Sequence, residues 1–383
     1  MIAAWCAESC PESTGGCASS ASAAASDAHR PAGASRADVR AIQLQEFGDP
    51  SGLREVELPD PLPGPGQVRV DLVAAAVNRR DLWIRIGGKV ALPVVLGSDG
   101  AGIVSAIGDG VEGLREGDEV VINPSLHWGD AEDAPGPDFR ILGAPDQGTY
   151  AERIVVAAHQ VRPRPQHLTW LESAALPLGG LTAWRTVAVH ARAGPGQTIL
   201  VPGAGGGVAT FAVQIAAALG ARVLVTSSSP EKIARALKLG ADGGVDYRDA
   251  TWPDRVAPVD AVIDSVGAAV WPGALRALRP GGRLVNFGDT GGDTAQVDVN
   301  RVFLSHLRIQ GTTMGSPRDF DALLLHVENA SWRPVIDSVF PLGETAPAHE
   351  RLDDPGRFGK VVLAIDAASI EVEEPAGAPA VAR

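Results

Sequence analysis

The sequence predicts an α/β protein in which a doubly wound parallel sheet stands beside a smaller, β-rich, barrel-like domain. Three observations carry that expectation. The chain has 383 residues, more than the roughly 100–200 of a typical single domain, so two domains with a cleft between them are expected. The apolar period changes along the chain from short alternating runs to buried strands that alternate with helical stretches. A glycine-rich turn, Gly203-Ala-Gly-Gly206-Gly207, sits between one such strand and one such helix.

Taken in order, residues 1 to 38 are Ala/Ser-rich with no apolar period, and read as a disordered extension without a core face. They do not read as a secretory signal, because Glu8 interrupts the start and there is no basic region. From Val39 to about Leu171, runs such as Gln67-Val-Arg-Val-Asp-Leu-Val and Glu119-Val-Val-Ile are separated by Gly/Pro/Asp turns, the pattern of antiparallel strands. From about Glu172 to Thr312, strands at Thr198, Arg222, Asp260 and Gly282 alternate with helices over Val208 to Leu219, Pro230 to Leu239 and Val270 to Leu278. That alternation builds a parallel sheet covered on both faces. Residues 313 to 366 supply a helix and the strand Lys360-Val-Val-Leu-Ala-Ile, expected to return to the first domain. Residues 367 to 383 have tail composition and are expected to be disordered.

Charge and cysteine usage exclude several classes. With 33 basic and 46 acidic residues the net charge is −13, and no basic cluster is longer than a pair or so, so nucleic acid is not an expected partner, nor is a membrane. No apolar run is long enough for a membrane-spanning helix. The cysteines are Cys6, Cys10 and Cys17 alone. The body therefore has no disulfide framework, suits the reducing cytoplasm, and could build a metal site only from His and carboxylates.

The segment Thr198-Ile-Leu-Val-Pro-Gly203-Ala-Gly-Gly206-Gly207-Val208-Ala209 and the helix after it place backbone N–H groups and a helix N-terminus where a pyrophosphate can approach. With the second strand, Arg222-Val-Leu-Val-Thr, this is a Rossmann dinucleotide site. An acid at the end of that second strand would read the adenosine ribose of NAD. The chain has Thr226-Ser227-Ser228-Ser229-Pro230-Glu231-Lys232 instead. Ser227, Ser228 and Lys232 suit a 2′-phosphate, so the expected cofactor is NADP(H); Ser229 and Pro230 also read as a helix cap and first turn. Asp264 to Gly267 and Gly288 to Thr290 end later strands at the same sheet edge, where Asp289 reads equally as a turn residue.

Residues 39 to 366 resemble the medium-chain dehydrogenase/reductase superfamily. The resemblance rests on Ala76-Val-Asn78-Arg-Arg-Asp81-Leu-Trp83, Pro93-Val-Val-Leu-Gly97-Ser98-Asp99-Gly-Ala-Gly, Gly117-Asp118-Glu-Val-Val, Gly148-Thr-Tyr-Ala-Glu152, Leu176-Pro-Leu-Gly-Gly-Leu-Thr182 and the glycine loop, in that order. It implies a GroES-like domain over 39–171, completed by 313–366, packed on a Rossmann domain over 172–312, with the active site between them. Zinc-dependent members carry Cys, His, an acid and Cys where this chain has Asn78, Ser98, Asp99 and a position near Leu178; all but the acid are replaced. The structural zinc lobe should fall between Asn123 and Gly148, where a lone His127 among scattered acids reads as a solvated loop.

What remains resembles the zinc-independent, quinone-oxidoreductase-like branch. That resemblance places Asn78 and Asp81 beside the nicotinamide and Trp83 as an apolar wall where relatives often have Tyr. It also places Thr182 facing the nicotinamide and Tyr247 on the 2′-phosphate, with Tyr247 as an ordinary strand-end aromatic the plain alternative. Without a Lewis acid, hydride delivery from NADPH to a quinone or an α,β-unsaturated carbonyl is more accessible than alcohol oxidation. The alternatives are a non-catalytic NADPH-binding protein and a small-alcohol dehydrogenase that has lost its zinc. Arg79 and Arg80 read either as a surface pair or as contacts to an anion, and the expected assembly is a homodimer.

Overall fold

The computed structural model describes residues 38–330 and 332–373. The three cysteines and almost all of the extension expected over 1–38 lie outside the described residues.

Six parallel strands form one sheet in the order Gly243–Val245, Arg222–Thr226, Thr198–Pro202, Val259–Asp264, Leu278–Asn286, Arg308–Gly311. Chain direction across the sheet reverses on either side of Thr198–Pro202, so a crevice opens at the carboxyl ends of that strand and Val259–Asp264. Parallel strands covered on both faces read as unbroken apolar runs, and Ile199 through Pro202 are all buried. The helices Gly207–Ala218, Pro230–Lys238 and Trp271–Ala277 begin and end within one residue of the bounds expected from the sequence. Two strands had no clear signal. Arg308–Gly311 is an exposed edge strand with alternating polar residues, and Ile336–Pro341 is only partly buried.

The second sheet is built on the long strand Gln67–Val77. It pairs antiparallel with Asp99–Ile107, Arg153–Ala157 and Lys360–Ala364, and Ile336–Pro341 runs parallel beside the last of these. Val39–Leu44 pairs antiparallel with Leu53–Leu58 and Val94–Val95 in a separate small sheet. This is the GroES-like barrel, with the late strand Lys360–Ala364 laid against Ala74–Val77. The short helices Trp170–Ala175 and Pro177–Trp184 join the two parts. Their buried apolar residues fall in one cluster with Val73, Ala76 and Ala101 of the barrel, Ile199 and Val201 of the parallel sheet, and Phe211 of the helix Gly207–Ala218. Core packing is therefore continuous across the floor of the cleft, which fixes the two walls relative to each other.

One expectation is corrected here. The stretch after Asp366 is not a featureless tail, because Ala367–Glu373 is helical. Asp366 accepts hydrogen bonds from the Ala368 N–H at 3.1 Å and the Ser369 hydroxyl at 2.5 Å, and Ile370 is buried in the main apolar cluster. Asp366 thus caps the start of this short helix and Ile370 seats it on the core. Residues 374–383 lie outside the described residues.

Candidate active site

A cleft of about 860 Å³ runs between the two parts. On the parallel-sheet side it is lined by Gly203, Gly206, Gly207, Val208, Ala209, Thr182 and Gly288, seven of the positions expected to hold the dinucleotide. Gly203 has φ +71°, a backbone region that disfavours side chains. A Cβ on Gly205 would meet the Arg357 carbonyl and Lys232 Nζ at 2.9 Å each. The loop must therefore be bare to pass beneath an incoming phosphate and into the N-terminus of Gly207–Ala218. These residues fit a dinucleotide pyrophosphate. Thr182 faces the cleft from its helix, donating to the Leu178 carbonyl at 2.8 Å.

Opposite lies a buried polar centre. The strand Gln67–Val77 ends at Asn78, which begins the helix Arg79–Gly87, and the Asn78 N–H is accepted by Asp81 Oδ2 at 2.8 Å. Asn78 Nδ2 donates to Asp99 Oδ2 at 2.9 Å. Lys360 Nζ donates to Asn78 Oδ1 at 2.6 Å, to Asp99 Oδ2 at 2.8 Å and to the Val77 carbonyl at 3.3 Å. The other carboxylate oxygen, Asp99 Oδ1, accepts the Leu178 N–H at 2.6 Å. Asn78, Asp99 and Lys360 are all buried, and Asn78 and Lys360 line the cleft. A buried ion pair of this kind persists because its remaining donors and acceptors are satisfied; losing one partner of such a pair typically costs about 3–5 kcal/mol.

Asp81, expected beside the nicotinamide, is corrected: it does not line the cleft but stands behind this centre and supports it, because its carboxylate is turned inward to the Asn78 N–H and the Tyr150 hydroxyl. It is fully buried, its Oδ2 also accepts the Tyr150 hydroxyl at 3.0 Å, and Tyr150 lies 3.4 Å from His349 Nε2. Burial raises the Asp81 carboxyl above the usual range, partly offset by the Arg80 guanidinium, and burial with the nearby Asp81 charge raises Tyr150 well above the ordinary phenol value. Trp83 lines the cleft as expected. Of the two readings left open for Arg80, the surface pair does not hold: the side chain is largely buried, and its fork donates to Ser98 Oγ at 2.9 Å and to the Leu142 and Ala144 carbonyls. Burial lowers its pKa despite the nearby carboxylates. Arg79 pairs with Asp353.

At the far end, Ser229 Oγ accepts the Lys232 N–H at 3.2 Å and caps the helix Pro230–Lys238, while buried Ser227 Oγ accepts the Ser229 N–H at 3.1 Å. Tyr247 is exposed and its hydroxyl donates to Ser228 Oγ at 3.0 Å. Lys232 Nζ donates to the Pro355 carbonyl at 2.5 Å. Burial and the neighbouring Arg357 hold Lys232 below its usual pKa, and burial with Arg79 lowers Arg357 to about 10. Arg357 lines the cleft; Ser227, Ser228, Lys232 and Tyr247, expected to meet a 2′-phosphate, lie beyond its lining, and Asp337, Asp353 and Asp354 partly offset the Lys232 and Arg357 charges.

Asp264 is a correction. It is fully buried, and its carboxylate accepts from the Val266 and Gly267 N–H groups, Trp271 Nε1 and Asn286 Nδ2. It shapes the strand-end turn, and the neighbouring Ser265 and Val266 face the cleft instead.

The segment between Asn123 and Gly148 is not merely a solvated loop. Trp128 is buried, packs edge-on against Phe139 at 5.3 Å, and lies under the Arg185 guanidinium at 4.7 Å. Arg185 Nη2 donates to the Glu132 and Asp133 carbonyls, and Nη1 pairs with Asp319. An aromatic and guanidinium core anchors the lobe. Among the described residues no group of three or more His, Cys, Asp or Glu is placed to hold a metal ion. At the Asn78 centre zinc does not fit, because both Asp99 oxygens already accept protein donors and an ammonium lies against them.

Sequence reasoning missed Lys360, Tyr150 and His349. Lys360 had a signal, a lone cation opening the otherwise apolar run of the strand Lys360–Ala364. Tyr150 is one of only two tyrosines in the chain. His349 had none, since its role depends on where its helix docks.

A GroES-like barrel and a Rossmann sheet enclosing a nucleotide cleft define a dehydrogenase/reductase architecture. Residues 64–166 match the alcohol dehydrogenase GroES-like domain and residues 207–329 match the zinc-binding dehydrogenase family. A zinc-type alcohol dehydrogenase-like protein of Schizosaccharomyces pombe is 35% identical over 330 residues, covering 82% of this chain and 94% of that protein. The quinone oxidoreductase of Rattus norvegicus is 31% identical, covering 85% and 97%. A crystal structure of an NAD-dependent alcohol dehydrogenase superposes with TM-score 0.82 at 41% identity, covering 85% of this chain and 99% of that one. The chain belongs to the medium-chain dehydrogenase/reductase superfamily, whose oxidoreductases bind nicotinamide cofactors. Among the described residues no helix is long and apolar enough to cross a membrane.

Proposed function

We propose that this chain is a zinc-independent, NADPH-dependent oxidoreductase that transfers a hydride to a quinone or an α,β-unsaturated carbonyl compound. The carrying observation is the Asn78–Asp99–Lys360 centre, in which protein donors satisfy the acid that a metal would need. The likeness to a quinone oxidoreductase over 85% of the chain agrees with that reading. NADPH is favoured by hydroxyls and Lys232 where an NAD-reading acid would stand. The cofactor supplies a hydride; the chain's residues orient it and hold the charge that appears on the acceptor. The glycine loop receives the phosphates, Thr182 and Val208 border the nicotinamide end, and Trp83 provides an apolar wall for a flat acceptor. The Asn78 amide borders the same space and is the donor nearest the reacting oxygen.

The assembly in this reading is a homodimer in the cytoplasm. Its support is the open edge strand Arg308–Gly311 with Val299, Phe303 and Leu304 exposed beside it.

Purified protein incubated with NADPH or NADH and a panel of quinones, enones and alcohols tests the reading. NADPH consumption with quinones or enones, insensitive to chelators, is expected. NADPH fluorescence that shifts without consumption would identify a binding protein, and chelator-sensitive alcohol oxidation would identify a zinc dehydrogenase.

A further inference from the structure

We propose that Lys360 is a positioning residue for hydride transfer, taking the electrostatic place of a metal and acting on the reacting oxygen through the Asn78 amide. The proposal rests on the hydride-transfer reading above. Lys360 is buried, and its ammonium has three protons and three acceptors, Val77 O, Asn78 Oδ1 and Asp99 Oδ2. Its donors are consumed within the protein, so it does not itself bind substrate.

The effect passes through Asn78. The amide orientation is dictated, because Oδ1 must face the ammonium and Nδ2 the Asp99 carboxylate; the flipped amide would set donor against donor and acceptor against acceptor. Of the two Nδ2 protons, one goes to Asp99 at 2.9 Å, and the other has only the Ala76 carbonyl at 3.5 Å, the outer limit of a hydrogen bond. That second proton is available to the cleft that Asn78 lines. An amide whose oxygen accepts from a cation is polarised, and its N–H becomes a stronger donor. The lysine stem packs closely beneath the nucleotide helix at Gly207, where a Cβ would lie 3.1 Å from Lys360 Cδ.

In the step this serves, the hydride adds to the β-carbon of the conjugated carbonyl, the C=C π pair becomes the new C=C of an enolate, and the carbonyl π pair moves onto oxygen, where Asn78 Nδ2 stabilises it. A solvent proton then neutralises the enolate, and with a quinone loss of the ring C–H proton and protonation of the second oxygen complete the aromatic product. The sum is NADPH, a proton and a quinone giving NADP⁺ and a hydroquinone, or NADPH, a proton and an enone giving NADP⁺ and the saturated ketone.

The test compares the native protein with Lys360→Arg, Lys360→Met and the charge-balanced Lys360→Met/Asp99→Asn pair, which leaves no unpaired buried charge. In the double variant we expect NADPH affinity and acceptor KM within about threefold of native and kcat about a hundredfold lower, the scale of losing one oxyanion donor. Lys360→Arg is expected to recover about tenfold of that loss. The second readout needs no turnover. 4-Nitrophenol bound with NADP⁺ mimics the charged product, and its absorbance reports the phenolate-to-phenol ratio. The native protein should raise that ratio about tenfold over free solution, and the double variant should not. A double variant with native kcat overturns the proposal, as does the same phenolate ratio in both proteins or no shift in the native one. If the native protein reduces no quinone or enone, the hydride reading fails, and the phenolate comparison still decides the role of Lys360.

Discussion

The Tyr150 hydroxyl donates to Asp81 Oδ2 at 3.0 Å, and both side chains are fully buried. The same carboxylate oxygen accepts the Asn78 N–H, so Tyr150 helps to hold Asn78, the residue that the proposed function sets against the acceptor. Tyr150→Phe removes one donor to a buried carboxylate without opening a cavity, and should cost about 1.5–3 kcal/mol of stability. Urea unfolding of the pair measures it; an unchanged midpoint would mean that Asp81 finds another donor.

His349 sets an acid limit. Burial and the nearby Arg85 lower its pKa from 6.5 to about 3, so it stays neutral in the fold. The unfolded chain takes up the proton first. Stability is therefore full above about pH 6.5 and is lost as the pH falls toward 3, by up to about 1.4 kcal/mol per pH unit from this group. Asp81 works in the opposite sense, because its raised carboxyl binds a proton more tightly folded than unfolded. Denaturation midpoints measured from pH 7 to 4 should fall more steeply for the native protein than for His349→Gln. Parallel curves would remove His349 as the sensor.

The sequence revealed the parallel sheet and nucleotide loop best, because their signals are local: an apolar strand, glycines that leave room for a phosphate, a helix start. The polar centre was only half legible. Asn78 and Asp99 stood out where metal ligands were missing, but their partner Lys360 follows Asp99 by 261 positions in the chain, and only the pairing of Lys360–Ala364 with Ala74–Val77 brings it there. Asp264 was misjudged because position at a strand end does not say whether a carboxylate faces ligand or its own turn. Ile370 was missed because a single apolar residue gives no period.

The lobe between Asn123 and Gly148 provides an independent test of stability without metal. Trp128→Ala removes a buried indole that packs on both Phe139 and Arg185, and should cost about 3–5 kcal/mol by the scale of large-to-small core changes. The Arg185 pairing with Asp319 would survive, so unfolding should start locally. Limited proteolysis is expected to cut within residues 129–138 in the variant and not in the native protein. An identical digestion pattern would show that the lobe is held by other contacts.

The proposed preference for NADPH is tested at Lys232. Its amine lies beside Gly205 and donates to the Pro355 carbonyl, in surroundings that Arg357 makes still more positive. If that amine turns to a 2′-phosphate, Lys232→Ala removes a charge-assisted contact of about 1.5–3 kcal/mol, roughly ten- to a hundredfold in NADPH affinity. NADH lacks the phosphate and should change by less than about threefold. A carboxylate at Ser228, half-buried beside Tyr247, should go further by repelling the phosphate and accepting ribose hydroxyls. Thr226 and Ser227 are poorer places for it, because both are buried and a carboxylate there carries a desolvation penalty. Fluorescence titration of both cofactors against Lys232→Ala and Ser228→Asp measures the four changes. Equal losses for NADH and NADPH in Lys232→Ala would leave the lysine as a tie between the helix Pro230–Lys238 and the Pro355 segment, and would overturn the NADP assignment.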